Sequence, residues 1–437
     1  MDIFTTGTAL LAAWAATPAL DAFLRWRRLT APQGGARTPE GARAPGKLLA
    51  VIPARAEGAR VGDLASDLKR ESEREEKKEI SLKVEEGEGG PAVDVLVLLD
   101  GPDPDAEARL VRDGVRYLSK KSPGPSKGHA LAFLAKRLAE GLDSYDFILV
   151  FDADMRLPEG FFRDLRVPEG TEAFQLPVRP AGVPAPGAPR VEALSLAEAR
   201  LDDLARDAEG LPVRLRGKAM GFSPRAFRLG PAQATRTTAE DSEATLVLLA
   251  RGVLVRALEG PFAFDEPPSD AGAMGRSRAR WFGGHMRLLF SGFIDVLRCV
   301  VRRPIGTFVL AADFWLRPRI FLLGTLALLA SVSDLAMVVL SSSGAWRALG
   351  AGKVDAAAAT AQPIALLACL LLLSLLGKSS LLFEWLSVAA LRQRIGYPAE
   401  CPAVSAADLS DSLLMWIGAA VRGVTSPSRW HRARPPA

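Results

Sequence analysis

Three short apolar runs constrain this chain more than any other feature: residues 48–52 (LLAVI), 94–99 (DVLVLL) and 146–151 (DFILVF), each opening into a polar loop. Aliphatic runs of this length, bounded by turn-forming residues, are strands covered on both faces, the usual setting of parallel strands. Helical stripes alternate with them. Residues 127–142 place Leu131, Leu134, Ala135 and Leu138 on one face, and similar stripes occupy 191–208 and 239–250. The alternation predicts an α/β core around a mostly parallel sheet, with ligands beyond the carboxyl ends of the strands.

At 437 residues the chain is longer than one ordinary domain, and its apolar residues collect at both ends around a charged middle. Residues 3–24 are mostly apolar and run into Arg25, Arg27 and Arg28, which suits a span with its C-terminal end in the cytosol. Pro18 and Asp21 leave a helix lying in the interface as the alternative. Two further spans are expected at 320–340 and 363–376, with Arg302, Arg303, Arg317 and Arg319 before the first and Lys378, Arg392 and Arg394 after the second. Residues 381–390, with Trp385, and residues 409–421 read as interfacial helices. The expected organisation is a membrane helix at 1–28, a linker at 29–46, a catalytic domain at 47–290 and a membrane region at 291–437. That is a multi-pass protein of the cell (inner) membrane with its catalytic domain in the cytosol.

Charge and cysteine usage exclude other classes. A net charge of +5, with arginines beside apolar runs rather than in one basic stripe, argues against nucleic acid. The mixed charge of residues 69–90 is a solvated surface. Cys299, Cys369 and Cys401 are too scattered for a disulfide framework or a zinc site, which suits a reducing compartment. His129, His285 and His431 share no motif, so general base work falls to carboxylates.

Four motifs follow the strands. In VFDADMRLPEGFF, Asp152 and Asp154 follow the third apolar run. In extended backbone their carboxylates would project to one side, where hard oxygen ligands hold a divalent cation against a diphosphate; a surface turn is the alternative, which the position after a buried strand disfavours. Asp100 stands at the end of the second run, with Asp103 and Asp105 in a Gly/Pro turn that explains them. After the first run, PARAE carries Pro53, Arg55 and Glu57. Lys127 opens the helix of KGHALAF, where it can meet phosphate together with the helix amides; a solvated lysine is the alternative.

In order, PARAE, LLDGPDPD, KGHAL, FDADMRLPEGF, LRGKAMGF, TAEDSEATLVLLARG and SRARWFGG resemble the motifs of family 2 glycosyltransferases of the GT-A fold, including the cellulose synthase-like and hyaluronan synthase-like membrane branches. The resemblance covers about residues 47–290 and implies a Rossmann-like catalytic domain joined to transmembrane and interfacial helices. It also implies roles. Pro53 and Glu57 would line the nucleoside, Asp100 contact the base, Lys127 and Asp152 meet the nucleotide, and Asp154 ligate Mg2+ or Mn2+. Asp241, with Glu240 beside it, would be the general base. Arg278, Arg280 and Trp281 would hold the diphosphate and acceptor. Three positions depart from the pattern: Ser277 for Gln in QxxRW, Ala239 for Thr before the acidic pair, and Ala56 for Asn before Glu57.

The expected activity is inverting transfer of a sugar from a nucleotide sugar, a UDP-sugar, to a lipid, glycan or other membrane-associated acceptor. The alternatives are a processive polysaccharide synthase and a catalytically inactive scaffold subunit of the same fold.

Overall fold

The computed structural model describes residues 41–82, 91–266, 271–303 and 404–425, with isolated helical positions within 23–27, 306–310, 330–337 and 368–382. It divides into two compact units. One comprises Met1–Pro32 and Leu316–Tyr397, the other Gln33–Trp315 and Pro398–Ala437. In the first, Asp334 accepts a hydrogen bond from Ser374 Oγ (2.7 Å) and pairs with Lys378 (2.8 Å). The expected span at 3–24 and the interfacial segment at 381–390 lie almost wholly outside the described residues, and more than half of each expected span at 320–340 and 363–376 does too. Among the described residues no helix is long and apolar enough to cross a membrane.

The second unit contains the expected α/β core and also takes in 291–315 and 398–437, which the sequence assigns to the membrane region. Its strands are β1 (Ala42–Arg43), β2 (Lys47–Ala54), β3 (Ala92–Leu99), β4 (Arg116–Ser119), β5 (Phe147–Val150), β6 (Met155–Arg156), β7 (Val167–Pro168), β8 (Ala173–Gln175), β9 (Val178–Pro180), β10 (Met220–Phe222), β11 (Val255–Ala257) and β12 (Ala263–Asp265). Its helices are α1 (Val61–Leu82), α2 (Pro104–Arg112), α3 (Lys127–Arg137), α4 (Ala188–Ala208), α5 (Pro224–Leu229), α6 (Glu240–Ala250), α7 (Ala271–Ser291), α8 (Phe293–Arg302) and α9 (Ala406–Thr425).

Seven strands form one sheet in the order β11-β8-β10-β5-β2-β3-β4. β2 runs parallel to β3 and β5, β3 parallel to β4, and β11 parallel to β8, while β10 is antiparallel to both of its neighbours. The period of two along β2 explains the layering. Leu48, Ala50 and Ile52 enter one core with Leu64, Leu68, Leu110 and Phe151; Leu49 and Val51 enter the other with Leu131, Leu134, Phe222 and Leu248. A strand buried on both faces must be aliphatic throughout, which is why these runs stood out in the sequence. A Cβ on Gly221 of β10 would lie 2.1 Å from the Phe174 ring, so this strand position admits no side chain.

β2, β3 and β5 end at one edge of the sheet, and the polar residues that follow them share that edge. A smaller sheet, β6-β12-β9, borders it: Asp265 of β12 stands opposite Met155 of β6.

α9 covers 409–421, the segment read as interfacial. Its inner face, with Trp416 and Ala419 buried, packs on α7, where a Cβ on Gly283 would lie 2.6 Å from Gly423 O.

Candidate active site

Asp100 follows β3 and is enclosed, its side chain 0% exposed. Its Oδ1 accepts from Lys120 Nζ (2.5 Å), and both carboxylate oxygens lie within 3.1 Å of the Gly124 amide. Arg55 stands 3.8 Å away and donates to Gly124 O (2.7 Å). The carboxylate thus ties the 120–124 loop to the ends of β2 and β3. Pro53 is buried in β2, and Glu57 is half-buried just before a short turn. Asp103 is the turn residue its context implied: its Oδ1 caps α2 at the Ala106 amide (3.1 Å), and its Oδ2 accepts from Gly58 N (2.9 Å).

Asp152 and Asp154 stand where the sequence put them, but not in extended backbone. β5 ends at Val150 and the chain turns at Ala153–Asp154, closed by Met155 N donating to Asp152 O (3.2 Å). The alternation argument therefore does not apply to this pair. Asp152 is half-buried and Asp154 exposed. Lys127, buried at the start of α3, donates to Asp152 Oδ1 (2.5 Å) and to Gly217 O (2.7 Å). Gly128 lets α3 come this close, since a Cβ there would lie 1.6 Å from Ala234 O. Burial pushes the Asp152 carboxyl up, but the charges of Lys127, Lys218 and Arg280 outweigh it and hold the group below its ordinary value.

Two residues that sequence reasoning gave no role complete this corner. Lys218 Nζ donates to Asp265 Oδ2 (2.6 Å). Burial lowers Lys218, but Asp265, Asp154 and Asp152 hold its ammonium above the ordinary lysine value. Burial, with Asp154 and Asp152 nearby, pushes Asp265 up to about 6 against the pull of Lys218. Lys218 lay within a recognised motif, LRGKAMGF, without a role; Asp265 had no local signal, because a strand pairing across more than a hundred residues brings it in.

The acidic pair Glu240–Asp241 opens α6. Asp241 is buried, its Oδ1 accepting from Ser242 N (2.7 Å), and its Oδ2 would lie 3.6 Å from a Cβ on Gly217. Lys127 binds the carbonyl of that same Gly217, so the pair and the Asp152 corner adjoin. Burial, then the Asp241 charge, push Glu240 up to about 7, with Lys127 and Arg280 opposing. Ala239 caps α6 without a side-chain hydrogen bond, and its amide donates to Thr237 Oγ1 (3.2 Å). Glu243, also in α6, accepts from Arg236 Nε (2.8 Å) and from the amides of Arg236 and Thr237, which fixes the loop entering the helix.

α7 brings Arg280, whose charge is felt by both Asp152 and Glu240 and whose carbonyl accepts from Thr238 Oγ1 (3.2 Å). Trp281 is half-buried against His285 (ring centroids 3.8 Å apart), Trp416 (5.9 Å) and the Arg214 guanidinium (5.3 Å). Its ring joins α7 to α9. Arg278 pairs with Glu192 of α4 and lies 5.6 Å over Trp416, so it belongs to the same packing seam. His285 Nε2 meets Ser242 Oγ (2.8 Å) and its Nδ1 the Trp281 carbonyl (2.9 Å), linking α7 to the helix that carries Asp241.

A divalent cation fits this corner. Asp265 is buried, its Oδ1 has no hydrogen-bond partner among the described residues, and it faces the field of Asp152 and Asp154. Among the described residues no three acidic, histidine or cysteine side chains converge tightly enough to hold a cation by themselves. One or two carboxylates completed by substrate phosphates is the set that Mg2+ uses.

No protein-family model matches the chain, and no curated protein matches it in sequence. In fold it is similar to nucleotide-sugar enzymes. One is a mannosyltransferase from Pyrobaculum calidifontis in complex with GDP-Man and Mn2+, at 15% identity and a TM-score of 0.48 over 90% of this chain and 100% of that one. Another is glucosyl-3-phosphoglycerate synthase from Mycobacterium tuberculosis with Mn2+ and UDP, at 19% identity and a TM-score of 0.34 over 53% of this chain and 75% of that one. A third is mannosyl-3-phosphoglycerate synthase from Rubrobacter xylanophilus, at 15% identity and a TM-score of 0.34 over 59% of this chain and 73% of that one. With each of these three scores below 0.5, the case for a function rests on the side chains at the sheet edge.

Proposed function

We propose that the chain is an inverting glycosyltransferase of the GT-A type that moves a sugar from a nucleotide sugar, a UDP-sugar, to a lipid or other membrane-associated acceptor at the cytosolic face of the cell membrane. The observation that carries this reading is the junction at Gly217. There Lys127 spans Asp152 and the Gly217 carbonyl, with the Glu240–Asp241 pair against the same glycine.

Transfer needs positive charge on a departing nucleoside diphosphate and a carboxylate within reach of an acceptor hydroxyl. Lys127 and Arg280 supply the first. Asp241 supplies the second, accepting the hydroxyl proton as the oxygen attacks the anomeric carbon from the face opposite the diphosphate, which inverts the centre. Pro53, Glu57 and Asp100 border the nucleoside side of the edge. Asp154 and Asp265 would hold a divalent cation, Mg2+ or Mn2+, which supplies further charge to the leaving group when bound.

The membrane part of the proposal is supported by α8. Phe293, Ile294, Leu297 and Val301 are exposed along one side, with Arg298, Arg302 and Arg303 beside them, while Asp295 and Cys299 face inward. An apolar stripe flanked by arginines suits an anionic bilayer surface.

A screen of purified protein in detergent against the common nucleotide sugars, read as nucleotide release with and without chelator, tests the activity. Release from one donor that stops in chelator is the expected result. Silence with every donor in the presence of Mg2+, Mn2+ and membrane lipid would sink the reading.

A further inference from the structure

The loop that carries Lys218 is built to aim it. Gly217 and Ala219 both have left-handed backbone, with φ of +79° and +48°, a conformation that alanine rarely adopts. Gln175 clamps the turn from β8: its Nε2 donates to Lys218 O (2.8 Å) and its Oε1 accepts from Arg216 N (2.8 Å). The result places the Lys218 ammonium 2.6 Å from Asp265 Oδ2. The β6–β12 register sets Asp265 opposite Met155, the residue after Asp154.

We propose that Lys218 is a resident counter-ion of the metal corner: its ammonium neutralises the Asp154–Asp265 carboxylates before substrate arrives, so the divalent cation loads together with the nucleoside diphosphate rather than ahead of it. The charges give the reason. Asp152 is already matched by Lys127 (2.5 Å), which leaves Asp265, paired with Lys218 (2.6 Å), and Asp154, whose charge the same lysine feels. A divalent ion entering alone must displace that ammonium or bear its repulsion at close range, in surroundings less polar than water. A diphosphate changes the balance. It brings more negative charge than the lysine cancels, gives the cation further oxygen ligands, and offers the freed ammonium a partner. Asp265 Oδ1, buried and without a hydrogen-bond donor among the described residues, is the ligand left open for the cation while Oδ2 holds the lysine.

This rests on the reading of the sheet edge as a nucleotide-sugar site, and the test separates the two. Mn2+ binding to the full chain in detergent is followed by the loss of the free-ion EPR signal, first alone and then with UDP or GDP, with no sugar donor present. Wild type should bind Mn2+ weakly alone and tightly with a diphosphate. Lys218→Met should bind Mn2+ alone ~10-fold more tightly or better, since a like charge is removed at short range. Lys218→Arg, which keeps the charge, should follow wild type. Should the methionine variant fail to fold by circular dichroism, Lys218→Gln retains an N–H for Asp265 and carries the same expectation. Equal Mn2+ affinity in wild type and the neutral variants overturns the counter-ion role while leaving the nucleotide site standing. Tightening in Lys218→Arg overturns it as well. Absence of Mn2+ binding with either nucleotide overturns both.

Discussion

Asp241 and Glu240 are neighbours in sequence with different surroundings, and the proposed mechanism gives them different work. Asp241 is held by the Ser242 amide and sits against Gly217, a defined position that the proposed role of general base requires. Asp241→Asn keeps shape and hydrogen bonding but cannot accept a proton, so turnover should fall ~100-fold or more while donor affinity stays, the signature of an interaction made in the transition state. Calorimetric donor binding beside single-turnover transfer separates the outcomes; lost donor binding would place Asp241 in the nucleotide site instead. Glu240 carries a different cost. Its folded value of about 7 stands above the reference 4.5, so the folded state holds a proton that the unfolded chain has already released. That contribution is complete below about 4.5 and is lost as pH climbs toward 7. Glu240→Gln cannot ionise, so the fall in Tm between pH 5 and pH 8 should shrink by several degrees; a fall equal to wild type's would count against the coupled acidic pair. Both residues were legible only through the place of TAEDSEATLVLLARG in the ordered set of motifs, because acid at a helix start is by itself an ordinary feature. Lys218 and Asp265 were not, because a left-handed turn and an antiparallel pairing to β6 bring them together, and neither leaves a trace in local periodicity.

At the scale of elements, the strands most plainly written were those buried on both faces. The runs at 48–52, 94–99 and 146–151 became β2, β3 and β5 within a few residues, and the helical stripes became α3, α4 and α6. β6, β8, β10 and β12 are two or three residues long and take their structure from neighbours rather than from pattern, so they escaped notice. Trp281 shows the same limit for side chains: the RW motif implied contact with an acceptor, and the packing of the ring on His285 and Trp416 left no trace in the local sequence. The seam between α7 and α9 thereby positions Arg280, and glycines set its closeness. A Cβ on Gly423 would lie 2.6 Å from Ala279 O, the counterpart of the Gly283 contact. Gly283→Val should force the helices apart, costing about 1–3 kcal/mol by overpacking and lowering transfer through the displaced Arg280. Gly141→Ala is the control, since its Cβ would meet only Leu138 O at 3.9 Å. Thermal melts and donor turnover read the pair, and a Gly283→Val protein with wild-type Tm would mean that the two helices do not pack this closely.

Across the whole molecule, the proposed orientation makes one coherent demand: the sheet edge faces the cytosol and α8 rests its apolar side on the bilayer. Two cysteine probes examine both at once. Arg112, at the end of α2, is 69% exposed and distant in sequence from every expected span, so Arg112→Cys reports the catalytic unit. Val301, 84% exposed on the apolar side of α8, reports the bilayer contact as Val301→Cys. Native Cys369 and Cys401 must be replaced, but Cys299 can remain: it is 0% exposed, and burial with Asp295 nearby pushes its thiol up to about 12, so little reactive thiolate forms at neutral pH. In intact cells a membrane-impermeant maleimide should label neither probe. After permeabilisation that leaves the bilayer in place, Arg112→Cys should react at once and Val301→Cys ~10-fold more slowly, because an apolar helix face settles into the acyl boundary beyond the reach of a charged reagent. Dissolving the membrane in detergent adds a control but no contrast, since a micelle covers the same face. Labelling of Arg112→Cys from outside would reverse the orientation inferred from the arginine flanks. Equal rates for the two probes after permeabilisation would leave α8 in water and remove the membrane contact, while the sheet-edge chemistry would stand.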